Sequence, residues 1–286
     1  MKVKLEGKWI YLKHRLELEG DEVVKAEEDI ILSDVFSSST IGGSFVFPDV
    51  LLETCGFEMS KESVDLVIFR WFSKDWFPQT IVSLPLVGLM NENLGPLVQV
   101  GSVASFSHNE KLSELFENTI LTSTLKEMGL VGFVSISLDS FGKVVSLQAG
   151  TPHEEFLSVL EGTKGRIVDF LTGKEPVFLE SWTASLALSR SPWPHDLKGD
   201  RGFIEGITKD SDKHLWLGDV VRYRKSIYSD STFLGYSTAW AVTPGEACRR
   251  ALRTLRNLKV DGKQYRTDMG PTILERMHVL CDRGIM

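Results

Sequence analysis

Several groups in this sequence have the side chains that chemistry needs. Residues 37–44 read Ser-Ser-Ser-Thr-Ile-Gly-Gly-Ser, a composition that can cradle phosphate through successive backbone N–H groups. The stretch has no GK[ST] ending, no lysine and no clear helix start after it, so it reads as a surface loop. His108, His153 and His195 are candidate general bases. Spacing gives none of them a serine or cysteine nucleophile and an orienting acid. His153 falls inside a helix cap and His195 beside Pro194, positions that suit solvated loops. Cys55, Cys248 and Cys281 are an odd number at wide spacing, with no CxxC and no nearby histidine pair. They read as reduced thiols filling the core. Trp71, Trp76, Trp182, Trp193, Trp216 and Trp240 offer stacking surfaces, but without a basic surround they read as core or interface packing.

The elements that must position these groups are short and mixed. Lys8–Leu12, Val23–Val24 and Ile30–Val35 read as strands, followed by the 37–44 loop and the run 45–52. Val64–Arg70 and Thr80–Val87 are β-rich runs joined by a turn at Ser73-Lys74-Asp75-Trp76, which predicts a hairpin. Leu112, Leu115, Phe116, Ile120 and Leu125 recur at helical spacing over 109–128, and Gly129 stands at the expected stop. Val131–Leu138 and Lys143–Leu147 flank a turn at Asp139–Gly142. Thr151-Pro152-His153-Glu154 then supplies a helix cap and a proline at the first helical position, predicting a helix over 152–161. Thr243-Pro244-Gly245-Glu246 repeats that design. Ala247, Ala251, Leu255 and Leu258 form its apolar stripe, expected to pack on strands carrying Tyr236 and Trp240. Arg249, Arg250, Arg253 and Arg256 lie mostly away from the stripe and read as a solvated face, with an anion-binding surface as the alternative.

The whole chain sets the class. It has 286 residues, 42% of them hydrophobic and 25% charged, with a net charge of −7, enough to bury one large core or two smaller ones. An acidic chain opposes phosphate-tracking nucleic-acid binding, which needs a basic surface. The longest apolar stretch, Ile81–Met90, is interrupted by Ser83 and Pro85 and falls far short of the roughly 20 residues that cross a bilayer. The first twenty residues mix charges of both signs where a secretory signal would be apolar. The expectation is a cytoplasmic protein with neither nucleic-acid nor membrane partners.

Two ordered stretches carry a family resemblance. Leu234–Gly270 reads LGYSTAWAVTPGEACRRALRTLRNLKVDGKQYRTDMG. In it Glu246, Ala247, Ala251, Gly262, Tyr265, Arg266, Asp268 and Gly270 fall in register with GRVLxVTAxGxTLxEAxxxAYxxVxxIxFxGxxYRxDIG. Upstream, residues 187–194 with Lys198-Gly199 and Ile204-Glu205-Gly206 look like VVLASxGYPxxYxKGxxIxG, with one residue deleted before the lysine. These are motifs of the glycinamide ribonucleotide synthetase (phosphoribosylamine–glycine ligase) family of ATP-grasp enzymes, and the resemblance covers most of residues 50–270. Toward the N-terminus, Glu53 with Gly56–Ser60, which includes Glu58, is similar to EExLxGEExS. The resemblance implies an α+β fold with an ATP-grasp-like lobe over 1–178 and a small C-terminal α+β lobe over 179–286. It also implies ligand-binding roles for Glu53, Glu58, Lys198 and Arg266. Arg266 has a local alternative, an ion pair with Asp268.

The departures bear on function. ATP-grasp ligases activate a carboxylate as an acyl phosphate on magnesium-bound ATP, held by acidic and amide side chains. At the family's glutamate, asparagine and arginine this chain has Val144, Ser146 and Gln148, and Thr151 replaces the aspartate of GDPE. No counterpart of the family's VVKADGLAAGKGV appears. One reading is a ligase-like protein that keeps the fold, lacks ATP-dependent turnover and binds a small anionic ligand or a protein partner, with no metal site. The other is an active carboxylate–amine ligase. Its ATP and magnesium would be held by Asp139, Glu154, Glu155 or Asp169, or a partner chain would supply the missing half.

Overall fold

The computed structural model describes residues 2–3, 29–30, 45–106, 109–150, 153–164, 177–218, 220–223 and 226–286. Strands expected over 8–12 and 23–24, most of 30–35, and the 37–44 loop lie outside these. Two short segments, β1 (Lys2–Val3) and β2 (Asp29–Ile30), pair in parallel.

In chain order there follow β3 (Phe45–Val46), helix α1 (Asp49–Thr54), β4 (Leu66–Phe72), β5 (Trp76–Val87) and β6 (Gln99–Ser105). Next come helices α2 (Glu110–Ser113) and α3 (Thr119–Glu127), strands β7 (Gly132–Leu138) and β8 (Val144–Ala149), and helix α4 (His153–Gly162). β9 (Thr163–Lys164) pairs with β10 (Val177–Phe178), and β11 (Trp182–Arg190) leads to β12 (Lys198–Ile204). The last third holds α5 (Lys209–Asp212), β13 (Leu215–Leu217), β14 (Val220–Tyr223), β15 (Ser226–Ser231) and β16 (Phe233–Ala241). Helix α6 (Pro244–Asn257), β17 (Lys263–Gln264) and helix α7 (Met269–Asp282) complete it.

Among the described residues ten strands form one sheet, in the order β13-β16-β11-β6-β5-β4-β7-β8-β3, with β17 on β11. Its neighbours pair antiparallel. The strand order runs across residue 178 without a break, since β11 pairs with β6 from Trp182↔Ser105 to Leu186↔Gly101. β12, β15 and β14 form a separate three-stranded sheet.

Strand alternation assigns the two faces of the sheet. Ser237 donates to the Ala251 carbonyl of α6, while its neighbour Thr238 donates to Glu161 of α4. Helices α4 and α6 therefore cover opposite faces of β16. α7 packs on α6 and β5. The core between them is aliphatic and aromatic, with Trp71 set edge-on against Phe133, ring centroids 5.1 Å apart. Gly101 sits in a strand interior because a Cβ there would collide with the Ser185 carbonyl across the ladder.

The two hairpins and the helix starting at Pro244 occur as the sequence predicts. Three expectations are corrected. The helix read over 109–128 breaks into α2, a 3₁₀ turn and α3, because Asn118 takes an extended conformation (φ −77°, ψ 121°) and its side chain caps the Ile120 and Leu121 N–H groups. The run 45–52 is strand only at Phe45–Val46, and Pro48 then leads into α1. Helix α6 packs on β16, the strand carrying Tyr236 and Trp240, as expected, while Trp240 itself lies on the Thr238 face, 43% exposed. Cys281 is exposed, whereas Cys55 and Cys248 are buried. No helix among the described residues is long and apolar enough to cross a membrane.

Candidate functional site

The strand that the resemblance aligns with metal ligands is β8. It pairs with β7 through Ser137↔Ser146 and Ser135↔Gln148, and paired residues face the same side of a sheet. The surface there is a strip of three hydroxyls and one amide. Ser135 is already committed, donating to the Gly150 carbonyl at 2.8 Å. Val144 is buried. A neutral strip of this kind does not fit magnesium-bound triphosphate, which requires carboxylate ligands to offset its charge. Among the described residues no group of three or more His, Cys, Asp or Glu side chains is arranged to hold a metal ion.

The substitute carboxylates have other work. Asp139 is buried in the β7–β8 turn and accepts from the N–H groups of Phe141 (2.8 Å) and Lys143 (3.0 Å). Burial raises this carboxyl, but hydrogen bonds from Ser60 and those two N–H groups outweigh it and hold the group below the usual carboxylate range. Glu155, fully buried on α4, accepts from Gln99 Nε2 at 2.5 Å. The Glu154 side chain and Asp169 lie outside the described residues.

The sequence-predicted ligand residues are not brought together. Glu53 is an exposed residue of α1. Glu58 stands next to β8, where its carboxylate pairs with Lys143 at 2.5 Å and raises that ammonium by hydrogen bond and charge. Lys198 is exposed at the head of β12, which Arg190 ties to the end of β11 by donating to the Asp200 carbonyl. Five inter-strand steps separate β8 from β11, about 24 Å at the usual strand spacing.

Arg266 is elsewhere again, with its guanidinium fully buried. It grips Asp268 with both forks (2.8 and 2.7 Å) and reaches back to the Val87 carbonyl (2.9 Å) and Asn93 Oδ1 (2.8 Å). The Thr272 hydroxyl at 3.3 Å takes the last N–H, on Nη2, and the Gly88 carbonyl, also at 3.3 Å, shares one of the Nη1 donors. A guanidinium has five N–H groups, and here protein acceptors use them all. Burial raises the Asp268 carboxyl, yet Arg266, the Glu92 N–H and Thr272 together hold it below the usual range.

One polar cluster escaped the sequence reading. Glu161, on the last turn of α4, is buried and accepts from Thr238 Oγ1 at 2.6 Å, and its other oxygen meets His214 Nδ1 at 2.8 Å. Trp216 Nε1 donates to Thr238 Oγ1 at 3.0 Å. The only signal in the sequence was an acid continuing the apolar run Phe156–Leu160. The spacing 161, 214 and 238 has no local pattern.

No protein-family model matches the chain, and no curated protein matches it in sequence. Solved structures do. A phosphoribosylamine–glycine ligase from Thermotoga maritima superposes with a TM-score of 0.55 at 16% identity, over 72% of this chain and 56% of the ligase. A Rhizobium etli pyruvate carboxylase variant, solved with the allosteric activator acetyl coenzyme A, superposes at 0.50 and 13% identity, over 79% of this chain and 25% of the carboxylase. The chain thus spans about half the length of the ligase and a quarter of the carboxylase. At these identities the likeness bears on fold, and the fold is α+β of the ATP-grasp type.

Proposed function

We propose that this chain keeps the ATP-grasp frame without ATP-dependent ligase turnover and acts by binding a small anionic ligand or a protein partner. The observation that carries this reading is the β8 surface. Ser146 and Gln148 face the same side as Ser137 and Ser135, and hydroxyls and amides cannot replace the carboxylates that hold catalytic magnesium. Function resides in the site and not in the frame. A preserved frame with a neutral strip at the metal position supports binding over turnover. Lys198, exposed and on a family motif position, is the contact assigned to an anionic ligand.

The test is a melting experiment across ATP, ADP and AMP, with and without magnesium. Stabilisation follows RT ln(1 + [L]/Kd), so millimolar binders register. The reading expects any nucleotide shift to be the same with and without magnesium. A shift that appears only with magnesium and ATP would favour the active ligase with relocated metal ligands.

A further inference from the structure

The edge of β16 carries a candidate site independent of the reading above. β13 covers that edge only from Leu215↔Ser237 to Leu217↔Gly235. Beyond it, a groove of about 490 Å³ runs between α5 and α6, lined by Thr208, His214, Trp240, Arg250, Arg253 and Asn257 among others. That volume lies within the range of small-molecule sites, about 300–1,000 Å³.

The hydrogen-bond chain at its wall has a defined direction. An indole N–H can only donate, so Thr238 accepts from Trp216 and gives its own proton to Glu161. The Glu161 carboxylate, accepting there, also accepts from His214 and so fixes the imidazole proton on Nδ1. In the neutral ring Nε2 is then a lone-pair acceptor. The imidazole is 36% exposed, and Nε2 has no partner among the described residues. A buried carboxylate here holds one acceptor in a fixed orientation at the groove wall, as an outer partner orients a working histidine.

The charges of the groove are otherwise mostly paired. Glu246 is held by Arg249 (2.7 Å) and Arg250 (3.0 Å), and Asp210 lies 3.7 Å from Lys213. The Arg253 side chain forms no ion pair or hydrogen bond with any described residue. The Arg250 guanidinium lies 5.9 Å from the centroid of the Trp240 ring.

We propose that this groove binds a small hydroxylated oxyanion, with Arg253 holding the anionic group and His214 Nε2 accepting the hydroxyl. Titration calorimetry with glycerol 3-phosphate, glycerate, inorganic phosphate and glycerol tests this on the parent, Arg253→Ala, His214→Phe and Arg256→Ala. The parent is expected to bind glycerol 3-phosphate or glycerate at least tenfold tighter than inorganic phosphate, and whichever of the two is preferred identifies the anion as phosphate or carboxylate. Arg253→Ala should weaken binding at least tenfold, and His214→Phe should remove only the advantage of the hydroxylated probe. Arg256→Ala, which removes an exposed arginine of the same helix that does not line the groove, should change nothing. Ring ¹⁵N shifts of His214 should show the Nδ1–H tautomer and move with the hydroxylated probe but not with phosphate. No binding by the parent at millimolar concentration overturns the proposal, as does unchanged affinity in Arg253→Ala.

Discussion

At the scale of single residues, Arg266 shows how far a motif can be read. Its place in YRTDMG marks it as a position worth keeping, and the Asp268 partner is visible two residues on. Its distant partners are not, because Asn93 lies 173 residues away in sequence and only the fold closes that gap. Arg266→Ala should cost about 3–5 kcal/mol in a denaturant melt, since the buried network loses its cation. The pH dependence follows from Asp268. Its carboxyl is held below the unfolded value, so its stabilisation is present above about pH 4 and drains as pH falls through the folded value. Melts from pH 7 to pH 2 should show this loss, and Asp268→Asn should flatten it. The cysteines divide in the same way: burial pushes the Cys248 thiol up to about 12, whereas Cys281 is exposed. Iodoacetamide on the native protein should therefore modify Cys281 and spare Cys248, read by peptide mass spectrometry. Lys198, exposed as it is, should tolerate Lys198→Ala without a change in melting. If it contacts the anionic ligand, that same variant loses affinity for it.

At the scale of elements, helix α6 was legible because every local signal agreed. Thr243 caps it by accepting from the Glu246 N–H, Pro244 opens it, and Ala247, Ala251 and Leu255 form its buried stripe. Its C-terminus is closed by something no pattern shows, the Lys263 ammonium donating to the carbonyls of Leu255, Arg256 and Leu258. Leu255 is fully buried, so Leu255→Ala should cost about 2–5 kcal/mol, and an unchanged melting temperature would contradict the packing. The region 109–128 was harder, since its apolar spacing continues through the break. The competing signal was Asn118, whose side chain offers the backbone a cap and so starts a new helix instead of continuing the old one. The strand under α6 is the expected one, carrying Tyr236 and Trp240, but period-two alternation tells which residues share a face and not which face the helix covers.

At the scale of the whole molecule, the strand-rich, antiparallel character was readable from hairpin signals, and the resemblance led to the ATP-grasp frame that the solved structures share. The continuity of the sheet was not readable. The pairing of β6 with β11 joins segments on either side of residue 178, a non-local contact that no composition shift marks. The candidate ligand residues were drawn from motifs spread over 214 positions, from Glu53 to Arg266, and the fold distributes them over separate parts of the molecule. The proposed function therefore turns on whether a frame with Val144 and Ser146 where the resemblance puts the family's metal ligands can still turn over ATP. The direct measurement is phosphate release from ATP by the full chain, with magnesium, glycine and other small amines and carboxylates supplied at millimolar concentration. The account predicts release at the background rate, unchanged by chelating the magnesium, and a magnesium-dependent release above background that needs an amine and a carboxylate would contradict it.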